Sequence, residues 1–398
     1  VDHVNHLTFI ANTYWEYYID SLQYNYGDQY RGEIQVDRYN NIFVCSSTRS
    51  SDFPTLNAFD NTLGGKQDAI VFKFNPSLNQ LLYSTFIGGS QNDCGNSILI
   101  KESDGSVYFT GGTCSSDFPV TSAAYSNQYL GGKSDAFLVH LNASGNQIIA
   151  STYFGTSDYD QSYFVQSDSK NRIYVFGQSM GSFPVLNTST ITPLHNPGRH
   201  QFIARFNAAL SQLNKATVFG NYTTQVDIAP SAFAVDRCSN IYLSGWGGNI
   251  ITNGPPLQNM PLMAATQSTT DGFDFYIMGM DSSWVLQYGT YFGGGLSQEH
   301  VDGGTSRFDA RGKIYQSACA GCGGHDDFPV TPGAWPNSPG NPNHSGNCNN
   351  GVLKIDFQLP LAISTINTNT LSGCAPFTAT LSNATPPLGA NATFTWYL

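Results

Sequence analysis

Charge is scarce in this chain: Asp, Glu, Lys and Arg make up 11% of its 398 residues, against about a quarter in ordinary globular domains. What there is leans acidic, to a formal net charge of -11. The few Lys and Arg are scattered, so neither nucleic acid nor an anionic membrane would find a countercharge, and both are excluded as partners. No apolar run is long enough to read as a membrane span, and almost no stretch carries a helical period. Motifs of the common enzyme classes are missing too: there is no Gly-x-Ser-x-Gly elbow, phosphate loop or metalloprotease helix. His195, His200 and His300 fall in loops without a nucleophile partner. The sequence starts at Val1 and breaks off inside a pattern. It is read as a fragment of a longer protein, in which a missing export signal says nothing against secretion.

What is present is a repeat. An apolar strand followed by a small-residue turn recurs five times, at Ile42-Phe43-Val44, Val107-Tyr108-Phe109, Ile173-Tyr174-Val175, Ile241-Tyr242-Leu243 and Ile314-Tyr315-Gln316. Successive starts lie roughly 65 to 73 residues apart, the signature of units that bury their faces against their neighbours. Around each strand the same landmarks return in order. A Thr-aromatic-Gly segment stands at Thr85 to Gly88, Thr152 to Gly155, Thr217 to Gly220 and Thr290 to Gly293. A short strand then ends near Asp37, Asp168, Asp236 or Asp309. After the apolar strand comes a long loop with Ser-Asp-Phe-Pro chemistry at Ser51 to Pro54 and Ser116 to Pro119, reduced to Ser182-Phe183-Pro184 and Asp327-Phe328-Pro329. A strand led by Asp68, Asp135, His200 or Asp274 closes the unit.

Four short strands per unit, separated by turn residues, predict an all-β fold: a β-propeller of about five four-stranded blades. The units are placed at about 13–75, 85–142, 152–207, 217–281 and 290–357 within a propeller spanning 1–358. The apolar strand, with apolar residues at successive positions, is expected between neighbouring blades. The closing strand carries Lys73, His140, Arg205 or Lys354 and is expected at the outer edge, where a basic residue discourages edge-to-edge pairing.

These motifs resemble the SBBP repeat, with its Gly-Gly turn, Asn-Ile-Tyr-Val strand, Ser-x-x-Phe-Pro loop and Asp-Ala-Phe strand. Units one to three match. Unit four departs at Gly245-Trp246-Gly247-Gly248, and unit five places a cysteine-rich turn at the strand end. From Gly373-Cys374-Ala375-Pro376 to Phe394-Thr395-Trp396-Tyr397, residues 359–398 look like the first half of a PKD domain, an immunoglobulin-like β-sandwich. The pairing of the two resembles Bacteroidota cell-surface proteins exported by type IX secretion, some of them associated with gliding motility. The resemblance brings no catalytic residue.

Eight cysteines in a chain read as secreted favour disulfides. Cys94 and Cys114, assigned to two loops on one face, are a candidate bridge; Cys45 reads as a small buried hydrophobe. Cys319-Ala320-Gly321-Cys322, with His325, His344 and Cys348, has the spacing of a zinc or redox site. In an oxidising compartment a Cys322–Cys348 loop staple is preferred, and no metal or cofactor is assigned. Asp93, Asp160, Asp227 and Asp302 recur once per unit. Without a dense Asp-x-Asp ladder they read as turn caps rather than calcium ligands. Asp20-Ser21-Leu22 matches a short Bacteroidota O-glycosylation pattern, making Ser21 a candidate acceptor, although an ordinary turn also fits.

The expectation is a non-catalytic structural or adhesive module of a large secreted or cell-surface protein, with surface or secretion-system proteins or extracellular glycans as partners. One alternative is a lectin-like propeller using exposed aromatics such as Trp246 and Trp335. The other is a glycan-degrading enzyme with two convergent carboxylates in the channel.

Overall fold

The computed structural model describes residues 31–186, 200–221, 225–248, 256–301, 307–308, 313–322, 324–325, 327–334 and 349–356, with 22, 25, 28 and 194 singly and two short strands further on. Five antiparallel sheets succeed one another. The first holds β1 (Glu33–Val36), β2 (Ile42–Thr48), β3 (Asp68–Phe74) and β4 (Leu81–Ile87). The second holds β5 (Asp93–Lys101), β6 (Ser106–Thr113), β7 (Asp135–Leu141) and β8 (Ile148–Phe154). The third holds β9 (Asp160–Ser167), β10 (Ile173–Ser179), β11 (Gln201–Phe206) and β12 (Leu213–Phe219). The fourth holds β13 (Ile228–Val235), β14 (Ile241–Gly247), β15 (Phe275–Met280) and β16 (Leu286–Phe292). In the fifth, β17 (Gln298–His300) and β18 (Arg307–Phe308) share the first-strand place against β19 (Lys313–Cys322), which pairs on its other side with β20 (Asn349–Asp356). The first strands contact one another from sheet to sheet. This is an all-β, multi-blade, propeller-like architecture.

The apolar residues of each sheet are buried against the next sheet rather than in one shared core. Phe43, Val71, Ile98, Phe109 and Val139 pack together between sheets one and two. Tyr108, Leu138, Val175 and Phe202 fill the space between two and three, Phe176, Phe233, Leu243 and Met278 that between three and four, and Trp246, Ile277 and Ile314 that between four and five. The Ile-Tyr-Val strand is the second of every sheet, and β6, β10 and β14 are buried along their whole length. Buried Phe residues of two long loops lie on their own blades: Phe118 stacks on Phe137 at 4.5 Å and Phe183 on Phe202 at 4.2 Å.

Three expectations change. The Thr-aromatic segments form β4, β8, β12 and β16, the outer strands of their sheets, so each sequence unit is out of phase with its blade by one strand. The strands carrying Lys73, His140 and Arg205 are therefore third in order and covered by a fourth. Their basic groups serve a cross-strand role instead of guarding an edge. Lys73 is paired with Phe43, His140 with Tyr108, Arg205 with Tyr174 and Lys354 with Tyr315. Lys73 Nζ sits 4.5 Å from the Phe43 ring, and His140 stacks on Tyr108 at 4.0 Å. Attraction of a cation to the ring face explains the Lys73, Arg205 and Lys354 pairs, and stacking of a neutral ring the His140 pair. Finally, the small residues after the Ile-Tyr-Val strand continue it rather than turn. Of the PKD-like region, only the antiparallel pair Ile366–Thr368 and Leu381–Asn383 is described.

His140 gives this packing a pH dependence. Burial, reinforced by the Lys101 charge, lowers its pKa to about 4, and its Nε2 lies 2.8 Å from Ser106 Oγ. The fold prefers the neutral ring, whereas the unfolded chain takes up a proton near pH 6.5. Stability is therefore lost as pH falls from about 6.5 to about 4, by about 2 kcal/mol after allowance for solvent screening. Urea midpoints at pH 7.5 and 4.5 should differ less for His140→Gln than for the parent; an unchanged difference refutes the assignment.

Candidate functional site

The first strand of three sheets carries an extra residue where its register slips: Asn96 in β5, Tyr163 in β9 and Ser231 in β13. Gly111, Gly177 and Gly245 stand beside these bulges on the second strands. A Cβ on them would run into the carbonyls of Cys94, Gln161 and Ala229, so glycine is what lets the bulge form. Bulges re-aim side chains, and here the re-aimed groups join sheets at the centre. Asn96 Nδ2 donates to Ser162 O at 2.9 Å, and Ser231 Oγ to Gln316 Oε1 at 3.3 Å.

Into this centre the chain inserts its own residues. Asn25 Nδ2 donates to Tyr163 OH at 2.8 Å, while Gln178 Nε2 returns a bond to Asn25 Oδ1 at 3.0 Å and another to Ile228 O at 2.7 Å. Tyr163 OH donates to Asp28 Oδ2 at 2.9 Å. Arg31 Nε lies 3.0 Å from Asp28 Oδ1, its Nη2 donates to Pro230 O at 2.6 Å, and its guanidinium covers the Tyr163 ring at 4.4 Å. Burial raises the Asp28 carboxyl, with the Arg31 charge pulling it back. Glu33, on β1, accepts from Ser97 Oγ at 2.5 Å and Ile98 N at 3.1 Å. Asp28 and Glu33 are thus each held by donors and do not face one another as an acid and a base would. Sequence reading missed this cluster because it joins residues up to 199 positions apart; the glycines of the repeat were its only local sign.

The sequence-derived candidates are dispersed. Trp246 is core, 2% exposed and edge-on to His300; it offers no stacking surface to a sugar. His200 is buried, while Trp335, His195, Ser21, His344, Cys348 and Asp302 lie outside the described residues. Cys94 is inside β5 instead of a loop and accepts from Gln161 Nε2 at 3.5 Å, whereas the Cys114 thiol donates to Lys133 O at 3.3 Å. The two sulfurs serve different partners and form no bridge in this structure. Cys45 is buried in the interface of sheets one and two. Cys319 and Cys322 stand on β19 rather than in a turn, and His325 is exposed. Among the described residues no three His, Cys, Asp or Glu side chains are grouped to hold a metal.

Of the once-per-unit aspartates, Asp93 and Asp160 cap turns. Asp93 Oδ2 accepts from Gly89 N at 2.8 Å, and Asp160 Oδ2 from Thr156 N at 2.6 Å. Each also meets a second acid from the preceding sheet. Gly88 is flanked by Asp68 and Asp93 and Gly293 by Asp274 and Glu299, while the Asp160 charge raises Asp135. Burial raises the carboxyls of Asp93, Asp160 and Asp274 to about 7 and those of Asp135 and Glu299 to about 8.

No family model and no curated protein matches the chain. Among solved structures it is similar to a protein of unknown function from Dyadobacter fermentans, 9% identical over 75% of this chain and 74% of that one, with a TM-score of 0.38. An ulvan lyase of a polysaccharide lyase family is 12% identical over 72% and 63%, at 0.38. A mannose phosphorylase from Leishmania mexicana is 10% identical over 80% and 90%, at 0.31. At these values the comparisons neither assign an activity to this chain nor exclude one.

Proposed function

We propose that the chain is a non-catalytic structural or adhesive module of a large secreted or cell-surface bacterial protein. The observation that carries this reading is the filled centre. The place where a propeller would hold a substrate takes the chain's own Asn25, Asp28 and Arg31, with its carboxylates neutralised or bonded. The low charge and the eight cysteines favour an extracellular setting. The SBBP-like repeats and PKD-like continuation favour a spacer in a type IX-exported surface protein, with a link to gliding or adhesion resting on that resemblance alone. Incubation of the purified chain with a panel of bacterial and plant glycans, scored for both cleavage and retention, tests it. Neither is expected. Cleavage abolished by a single carboxylate substitution would refute the reading, and retention without cleavage would replace it with the lectin alternative.

A further inference from the structure

We propose that the junction between the fourth and fifth sheets binds a divalent, oxygen-seeking cation, calcium, between Asp274 and Glu299. Asp274 begins next to β15 and Glu299 lies in β17, and both are 1% exposed or less. One oxygen of each is held: Asp274 Oδ2 accepts from Gln267 Nε2 at 3.2 Å, and Glu299 Oε1 from Ser297 Oγ at 2.5 Å and Gly294 N at 3.3 Å. The other oxygens, Asp274 Oδ1 and Glu299 Oε2, have no hydrogen-bond partner. Both would collide with a Cβ at Gly293, which places them no more than ~4.5 Å apart, within the span of two ligands at calcium–oxygen distances. Two fixed carboxylates therefore aim one unpartnered oxygen each at a single point that Gly293 leaves open.

The repeat supports the assignment. Buried oxygens without a hydrogen-bond partner recur at the other acid pairs, Asp93 Oδ1 in one and Asp135 Oδ1 and Asp160 Oδ1 in the next, although there the oxygen of Asp93 or Asp160 nearest the glycine is the bonded Oδ2. At the remaining junction His200 takes the position of the first acid, opposite Asp227. A histidine thus stands where the other three junctions have a second acid. With two side chains per site, backbone carbonyls, hydroxyls and water would complete the shell, as they do in many calcium sites. Calcium fits better than magnesium, which demands a near-octahedral set of closer ligands. The inference does not depend on the role proposed above.

Titration calorimetry of the EDTA-stripped chain with calcium chloride at pH 7.5 is the test, paired with thermal melts in calcium, in magnesium and in neither. Calcium uptake is expected, with a melting temperature raised by about 3–5 °C at saturation and little response to magnesium. In the Asp274→Asn, Glu299→Gln chain the stoichiometry should fall by one. No calcium uptake by the parent at millimolar concentration overturns the proposal, whether or not the variant folds. A melting temperature that rises on acidification but ignores calcium also overturns it, in favour of a proton shared by the two acids.

Discussion

Replacing Arg31 by alanine is expected to cost about 3–5 kcal/mol of stability at pH 7.5, because it leaves the Asp28 carboxylate buried without its countercharge. Other contacts are lost too: the bond to Pro230 O, which ties residue 31 to the fourth sheet, and the cover over the Tyr163 ring. Without the guanidinium, burial would be opposed only by the hydrogen bonds from Asn25 and Tyr163, so the folded variant would take up a proton more readily than the unfolded chain, with an Asp pKa near 3.9. The gap between variant and parent should therefore narrow as the pH is lowered toward 5, since protonation relieves the uncompensated charge. Urea unfolding of both proteins at pH 7.5 and 5 measures it. A gap that is small, or independent of pH, would mean that Arg31 contributes packing alone and that the centre is held by the Asn25, Tyr163 and Gln178 hydrogen bonds.

The elements most legible in the sequence were those with a short period. The Ile-Tyr-Val strands were placed correctly between neighbours because they are apolar on both sides, which only an interior strand tolerates. Blade phase was not legible. Thr85 to Gly88 and Asp93 are close in sequence and were placed in one unit, yet the chain crosses from sheet one to sheet two between them. Strand order within a sheet is set by long-range pairing, and a pattern repeated end to end can be cut at any point without changing its period. The basic residues were misassigned for that reason. Lys73 on an edge and Lys73 on a third strand have the same neighbours in sequence, and only the cross-strand register places Phe43 opposite it. Trp246 illustrates a different limit. It was a first candidate for an exposed, sugar-stacking aromatic, whereas it is buried with Ile277 and Ala320 between sheets four and five. The carboxylate junctions were half legible: the recurring aspartates were read as turn caps, which one oxygen of Asp93 and of Asp160 fulfils, but the partner acid comes from the adjoining sheet.

Trp284 should be the other residue whose loss is felt most, at about 3–5 kcal/mol for Trp284→Ala. It occupies the third-to-fourth strand turn of sheet four, at the place taken by Leu78, Gly145 and Leu210 in the earlier sheets, all with positive φ. Trp284 has φ 69°, yet its indole is 1% exposed in the core between sheets three and four. There it tilts against Tyr174 at 6.2 Å, and Lys215 Nζ lies 4.9 Å from the ring. The turn itself is fixed by Asp281, whose Oδ1 accepts from Ser283 N at 2.9 Å and Val285 N at 3.0 Å. The burial of a large ring thus outweighs a left-handed backbone that disfavours any residue with a Cβ. This competition gives an ordering contrary to side-chain size. Trp284→Gly removes more atoms than Trp284→Ala but relieves the backbone, so it should be the more stable of the two by about 0.5–1 kcal/mol. Urea midpoints of the two variants decide the point. If glycine proves the worse substitution, the turn is not strained, and the indole's packing would account for the whole effect.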